Sequence, residues 1–332
     1  MLKIGKVPES VLKRSIIKQI KTKRDEIIVG AGVGEDCAAI EIADDEVFVT
    51  STDPITGTSH DIGALSVHVT ANDIASSGAE VIGVMLSVLL PEGTEEDELK
   101  DIMRQVEEVC CALNIQTVGG HTEVTTVVNQ PVITCTGIGK VKKDKLVTTS
   151  GARPGDDVVV TKWIGLEGTS IIAKEKEEQL SGRFSPALLE TAKGFSKLMS
   201  VVEDARVATA VGVSAMHDVT EGGIFGALWE IGESSGCGLE ISLLDIPVRQ
   251  ETVEICEEFG INPYCLISSG SMLITAPNGS DIVRALGKAG INAAVIGKVT
   301  DGNDRVLLNG DERRFLEPPK SDELYKIYEH TN

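Results

Sequence analysis

The sequence predicts an α+β protein in two parts, an α/β first half and an α+β second half, each built on a mixed sheet. Three observations carry this. Apolar strand-like runs alternate with amphipathic helical stretches along the whole chain. A turn-rich run, Ser150-Gly151-Ala152-Arg153-Pro154-Gly155-Asp156, interrupts that rhythm near the middle. The 332 residues suffice for two hydrophobic cores at about 150 residues per domain. The expected domains are 1–150 and 151–332.

In chain order, Val11, Leu12, Ile16, Ile17 and Ile20 repeat at helical spacing and predict a short helix over 8–20. Glu46 to Ser51 reads as a strand that delivers Asp53 just beyond its end. A helix follows from Asp61, which can serve as its N-cap, to about Ser77, with Gly78 as its stop; it carries Asn72 and Asp73 in its last turns. Val81 to Leu89 reads as a buried strand. Glu95 to Leu113 is a helix with Leu99, Ile102, Met103, Val106, Val109, Cys110 and Leu113 on one face. Gln116 to Val118 is a short strand leading into a Gly119-Gly120 turn, and 131–139 is another strand. In the second half, strands are expected at 157–161, 239–242, 272–275 and 293–299. Helices are expected from Gly168, from Ser185-Pro186 and over 222–234, 250–259 and 280–289.

Composition narrows the function. The net charge of −20 argues against nucleic-acid binding, which leans on a positive surface. Aromatic residues make up 3% of the chain, too few for a base-stacking platform. The longest apolar stretch, around Val81 to Leu90, is too short to span a bilayer, and the N-terminus lacks the apolar core of a signal peptide. The seven cysteines form no C-x-x-C pair and read as reduced, buried thiols of a cytoplasmic protein, with Cys110-Cys111 on the packed face of its helix. No Walker-type phosphate loop and no Gly-x-Ser-x-Gly elbow is present.

Four acidic or polar motifs stand out in the first half. Gly32-Val33-Gly34-Glu35-Asp36 is either a glycine segment that wraps phosphates, with Asp36 reaching a metal, or an ordinary turn. Asp53, at a strand end, is either a ligand or an Asx-turn. Asn72-Asp73 places two oxygen donors side by side on a mostly apolar helix, where an unpaired acid is costly. In Gly119-Gly120-His121-Thr122-Glu123, His121 can act as acid or base or touch a phosphate, and Glu123 can ligate a metal; a plain glycine turn is the alternative. Hard oxygen donors of this kind suit Mg²⁺ held jointly with substrate phosphates. A fifth motif, His217-Asp218-Val219-Thr220-Glu221-Gly222-Gly223, precedes a helix. There Asp218 or Thr220 either caps the helix or serves catalysis at an anion-favouring N-terminus.

In this order the motifs resemble the PurM-like, AIR synthase-related superfamily over nearly the whole chain. Gly34-Glu35-Asp36-Cys37-Ala38-Ala39 looks like its Gly-Asp-Asp-x-Ala motif and Ser51-Thr52-Asp53 like its Thr-Thr-Asp. Asn72-Asp73 looks like its helical Asn-Asp or Ser-Asp pair, and Gly119-Gly120-His121-Thr122 sits where relatives have Gly-Gly-Asp-Thr or Gly-Gly-Glu-Thr. The second half looks most like the hydrogenase maturation branch, HypE, through 151–156, 216–223 and 246–263. The resemblance implies an N-terminal domain that pairs with its twin in a dimeric β-barrel, with ATP and Mg²⁺ in the interface cleft. It implies Asp36, Asp53 and Asp73 as metal ligands. Gly32, Gly34, Asn72, Gly119 and Gly120 would complete the nucleotide site, and His121, Glu123 and Asp218 would be catalytic. The implied activity is ATP-dependent activation of an oxygen on a small-molecule or protein acceptor by phosphoryl transfer.

Three departures qualify the match. HypE carries a terminal cysteine that accepts a carbamoyl group, whereas this sequence runs to Tyr328-Glu329-His330-Thr331-Asn332 and its last cysteine is Cys265, so reaction on its own tail is not expected. Glu221 stands where HypE has an arginine, and His121 where relatives have an acid. Thiamine-monophosphate kinase activity and a non-catalytic nucleotide-binding maturation or regulatory role are the alternatives.

Overall fold

The computed structural model describes residues 5–6, 8–32, 38–56, 61–318 and 321–329. The chain forms two compact units, Met1–Ala75 with Ala79–Leu146, and Ser76–Gly78 with Val147–Asn332. Both are mixed α+β.

The first unit comprises β1 (Gly5–Lys6), α1 (Glu9–Val11), β2 (Ile27–Val29), β3 (Ala39–Ile40), β4 (Glu46–Ile55), α2 (Ile62–Ser76), β5 (Glu80–Pro91), α3 (Glu96–Leu113), β6 (Gln116–Thr125) and β7 (Val132–Lys142). Its main sheet has the order β1-β6-β5-β7-β4. Of its described strand pairs only β5 and β6 run parallel, and α3 supplies the crossover that such a pair needs. Glu95 caps α3 in a reciprocal capping box with Glu98, and Asn114 ends it in the left-handed conformation.

Helices α2 and α3 cover one face of this sheet. Two glycines of β7 let α2 come close: a Cβ on Gly137 would meet Thr70 Cγ2 at 2.6 Å, and one on Gly139 would meet Ile74 Cγ2 at 2.3 Å. Beneath the helices lie Val84, Leu86, Val88, Ile133 and Cys135, all buried. The opposite face carries Thr52, Thr136, Ser87, Phe48 and Met85, the last two 47% and 37% exposed.

Several elements differ from expectation. The helix over 8–20 is instead α1 followed by a π turn (Leu12–Ile16) and a 3-10 turn (Ile17–Gln19), with Arg14 and Ser15 both bonded to Glu96 of α3. Strand β4 extends through Asp53 and Pro54 to Ile55. Proline is tolerated there because β4 is an edge strand. The Gly119-Gly120 turn is the middle of β6, where the pairing skips Val118 in a bulge. Cys111 is exposed rather than core, while burial drives the Cys110 and Cys135 thiols up to about 12.

The second unit comprises β8 (Asp157–Thr161), α4 (Leu166–Glu175), α5 (Glu177–Ser181), α6 (Pro186–Lys193), α7 (Val202–Val211), β9 (Ala215–Val219), α8 (Gly223–Ser235), β10 (Gly238–Ser242), α9 (Gln250–Phe259), β11 (Ser271–Ala276), α10 (Gly279–Lys288), β12 (Ala293–Thr300), β13 (Arg305–Asn309), β14 (Glu312–Phe315) and α11 (Lys326–Glu329). Its sheet has the order β14-β13-β10-β12-β8-β11-β9, antiparallel except for β10 with β13. One core joins Val158, Val160, Ile224, Leu228 and Leu239 between α8 and the sheet. A second joins Ile172, Leu189 and Ile255 with Leu324 and Ile327 of the C-terminal segment. Ser185 caps α6 by accepting from Leu188 N, ahead of Pro186 at the first helical position. Among the described residues no helix is long and apolar enough to cross a membrane.

Candidate functional site

In the first unit the edge strand β4 and the last turns of α2 meet at one hydroxyl. Ser51 Oγ donates to Asp73 Oδ2 and also lies 3.3 Å from Asp53 Oδ2. Alternation along β4 puts Ser51 and Asp53 on the helix-covered face, and the tight seat of α2 brings Asp73 to it. Both carboxylates are half-buried, and the adjacent Asn72 is buried at 1% exposure. Two acids converging on one hydroxyl at a sheet edge form an arrangement that a hard cation stabilises by neutralising their repulsion. Among the described residues no three His, Cys, Asp or Glu side chains cluster as a metal cage. Two carboxylates suit a Mg²⁺ ion completed by phosphate and water, as is usual for that ion. Gly34 and Asp36 lie outside the described residues; Gly32 sits half-buried in the preceding loop.

His121 and Glu123 are not beside this pair. Across the sheet, Asp53 is registered with Cys135, and Cys135 with Leu86, on the covered face. The next row is Pro54, Thr134, Ser87 and His121, on the open face. His121 Nε2 and Glu123 Oε2 approach to 3.4 Å there, both well exposed. Gly120 has a steric reason of its own. Its φ is +150°, and a Cβ would meet the Leu86 carbonyl oxygen at 2.1 Å. Gly119 meets only ordinary contacts with Met85.

In the second unit Asp218 is at the end of β9, 4% exposed. It does not cap α8. The N-cap is Gly222, whose φ of +78° and that of Gly223, +62°, make the turn. A Cβ on Gly223 would collide with the Tyr264 carbonyl oxygen at 2.6 Å, so the second glycine is required for close packing. Next to Asp218, His217 Nε2 pairs with Glu230 Oε2 of α8 at 2.7 Å. Burial alone would lower the imidazole pKa, but the Glu230 bond and the Asp218 charge raise it overall.

Several neighbours of this turn carry no signal in the sequence. Glu221 accepts from Tyr325 Oη at 2.7 Å, so a phenol occupies this acid. Glu167, in the first turn of α4, accepts from Ser269 N at 3.3 Å. Burial pushes its carboxyl up to about 7, helped by the charges of Asp322 and Glu221. Tyr325 and Asp322 are distant in sequence and belong to no motif. Ser51 alone has a legible signal, its place in Ser-Thr-Asp.

Known proteins share this architecture and much of its sequence pattern. The family described as AIR synthase related protein, N-terminal domain, matches residues 34–141, and its C-terminal domain matches 153–308. A putative hydrogenase expression/formation protein of Methanocaldococcus jannaschii is 28% identical over 338 residues, covering 97% of both chains. Carbamoyl dehydratase HypE of Cupriavidus necator is 30% identical over 247 residues, covering 72% of this chain and 68% of its own. Among solved structures, HypE in complex with ATP superposes with a TM-score of 0.80 at 21% identity over 96% of this chain and 97% of that one. HypE in a complex with HypF gives 0.72 at 24% over 82% and 90%. A thiamine-monophosphate kinase from Stenotrophomonas maltophilia gives 0.75 at 19% over 94% and 99%. At these identities the superpositions establish a shared fold.

Proposed function

This chain belongs to the AIR synthase related protein family, and from that membership we propose that it is a HypE-like, ATP- and Mg²⁺-dependent enzyme that activates an oxygen of an acceptor by phosphoryl transfer. The observation that carries the reading is the convergence of Asp53 and Asp73 on Ser51. Bound there, Mg²⁺ would neutralise phosphate charge, the main demand of this chemistry. Asp53 and Asp73 would hold it, with Asp36, Gly32, Gly34 and Asn72 completing the nucleotide site. Ser51 donates to Asp73 and so fixes one carboxylate's rotamer beside the other.

Asp218, buried near the end of β9 ahead of the Gly222-Gly223 turn, would be the catalytic acid of the second unit. His121 and Glu123, with Gly119 and Gly120, would act from the open sheet face. That face, with Phe48 and Met85 exposed, supports pairing with a second copy to close a dimeric β-barrel. The acceptor would be a small molecule or a group on another protein, and the setting cytoplasmic.

Titration of the chain with ATP in the presence and absence of Mg²⁺ tests the reading. Metal-dependent binding is expected, and equal affinity in Asp53→Asn and Asp73→Asn overturns the site. Formation of thiamine diphosphate from ATP and thiamine monophosphate would favour the kinase reading instead. Binding of ATP with no turnover before any acceptor would favour a regulatory role.

A further inference from the structure

The C-terminal segment enters the second unit at one buried carboxylate. Asp322 is 3% exposed, and its two oxygens accept three backbone N–H groups from three separate segments. Oδ2 accepts from Gly222 N at 2.7 Å. Oδ1 accepts from Ile267 N at 3.2 Å and from Leu324 N at 2.8 Å. The segment around Ile267 is itself tied to the same turn, since Ser268 N donates to the Thr220 carbonyl at 3.3 Å. It is also tied to α4, since Ser268 Oγ accepts from Gly165 N at 2.7 Å. Leu324 and Ile327 anchor the far side of Asp322 in the core with α4 and α9. One side chain therefore ties the Thr220–Gly223 turn at Gly222, alongside the Ser268 bond to Thr220 and the Tyr325 bond to Glu221.

Gly222 is the right residue for such a clamp to act on. It holds a left-handed conformation at the N-terminus of α8, and with Gly223 it has the widest backbone freedom in the motif. Without a partner for its N–H, that turn has other conformations open to it. Each would move Glu221 and the start of α8 and disturb the Ser268 bond to Thr220, just beyond the strand that holds Asp218.

We propose that Asp322 is a positioning residue that fixes the Thr220–Gly223 turn beside Asp218 for phosphoryl transfer. This rests on the function proposed above. Asp322 itself bonds to backbone amides and has no direct part in the chemistry.

Asp322→Asn is the discriminating variant. Its carbonyl keeps the two bonds of Oδ1, while its amide replaces the acceptor facing Gly222 with a donor. The full chain is used, with ATP and Mg²⁺ alone as the probe. Hydrogen exchange in a peptide containing 220–224 should quicken at least tenfold, with 323–325 unchanged. The kcat of basal ATP hydrolysis should fall at least tenfold, with KM for ATP within twofold and the melting temperature near wild type. Unchanged exchange at 220–224 overturns the clamp. A loosened turn with kcat within twofold of wild type leaves Asp322 structural only and overturns the positioning role. A wild-type chain that neither binds nor turns over ATP overturns the functional reading and the catalytic part of this proposal, while the exchange result still decides the clamp.

Discussion

Ser51 donates a hydrogen bond from strand β4 to the carboxylate of Asp73 on helix α2, joining two elements whose acids are 20 positions apart in the sequence. If that junction binds Mg²⁺ with ATP, each acid supplies a charged donor that an amide replaces poorly. Asp53→Asn and Asp73→Asn should each weaken Mg²⁺-dependent ATP affinity by at least about tenfold, roughly 1.4 kcal/mol. Ser51→Ala removes only the orienting bond and should cost about threefold. Isothermal titration with and without Mg²⁺ measures all three.

Gly120 gives a stability prediction in the same sheet. Its φ is +150°, and an added Cβ would stand 2.1 Å from the Leu86 carbonyl oxygen, which leaves no room for alanine without moving β5 or β6. Gly120→Ala should destabilise the first unit by about 2 kcal/mol or more, within the range for overpacking a close-packed site. Gly119→Ala, facing only Met85 at 3.9 Å, should cost far less. Urea denaturation of the two variants makes the comparison.

His217 gives a pH dependence. Its pKa is raised in the folded chain, so the protonated ring with Glu230 adds stability at pH values below the unfolded imidazole value of about 6.5. That contribution is lost as pH rises through the folded value. His217→Gln should therefore destabilise more at pH 5.5 than at pH 8.5, as read from denaturation midpoints.

Glu167 has the same sense of pH dependence from a different cause. A carboxyl held up to about 7 by burial favours the folded state less as pH rises from its unfolded value of about 4.3. Glu167→Gln removes that penalty and should raise stability at pH 8 relative to wild type, with little change at pH 4. Thermal unfolding at the two pH values checks it.

Lys162 and Asp204 form a buried ion pair at 2.6 Å, with side chains 10% and 3% exposed. Burial lowers the Lys162 pKa against the pull of Asp204. Asp204→Ala strands the ammonium and should cost about 3–5 kcal/mol, whereas Lys162→Met with Asp204→Leu should cost little or even stabilise. Chemical denaturation of the single and double variants separates the two outcomes.

Legibility follows range. The long amphipathic helix α3 and strands such as β8 are written in local periodicity, and helix α9 begins and ends where its apolar pattern does. The motif acids Asp53, Asp73 and Asp218 are visible because acids in apolar settings need a reason. The continuation of β4 past Pro54 and of β6 through Gly119-Gly120 is hidden, since turn-forming residues there are tolerated by an edge position and by a bulge. The split of His121 from Asp53 across the sheet depends on register, which no local pattern reports. Asp322 and Tyr325 act on a turn about 100 residues away through backbone and phenol contacts, and their neighbours in sequence give no sign of it.

Gly137 and Gly139 have a consequence beyond packing. They act as a spacer gauge: the depth to which α2 sinks against β7 sets how far Asp73 stands from Asp53. A single added methyl at Gly139 would lift the helix and widen the gap between the two acids. The spacing of the candidate ion site is thus set in part by two residues that carry no charge, and a larger side chain at either would shift that spacing with both acids still present.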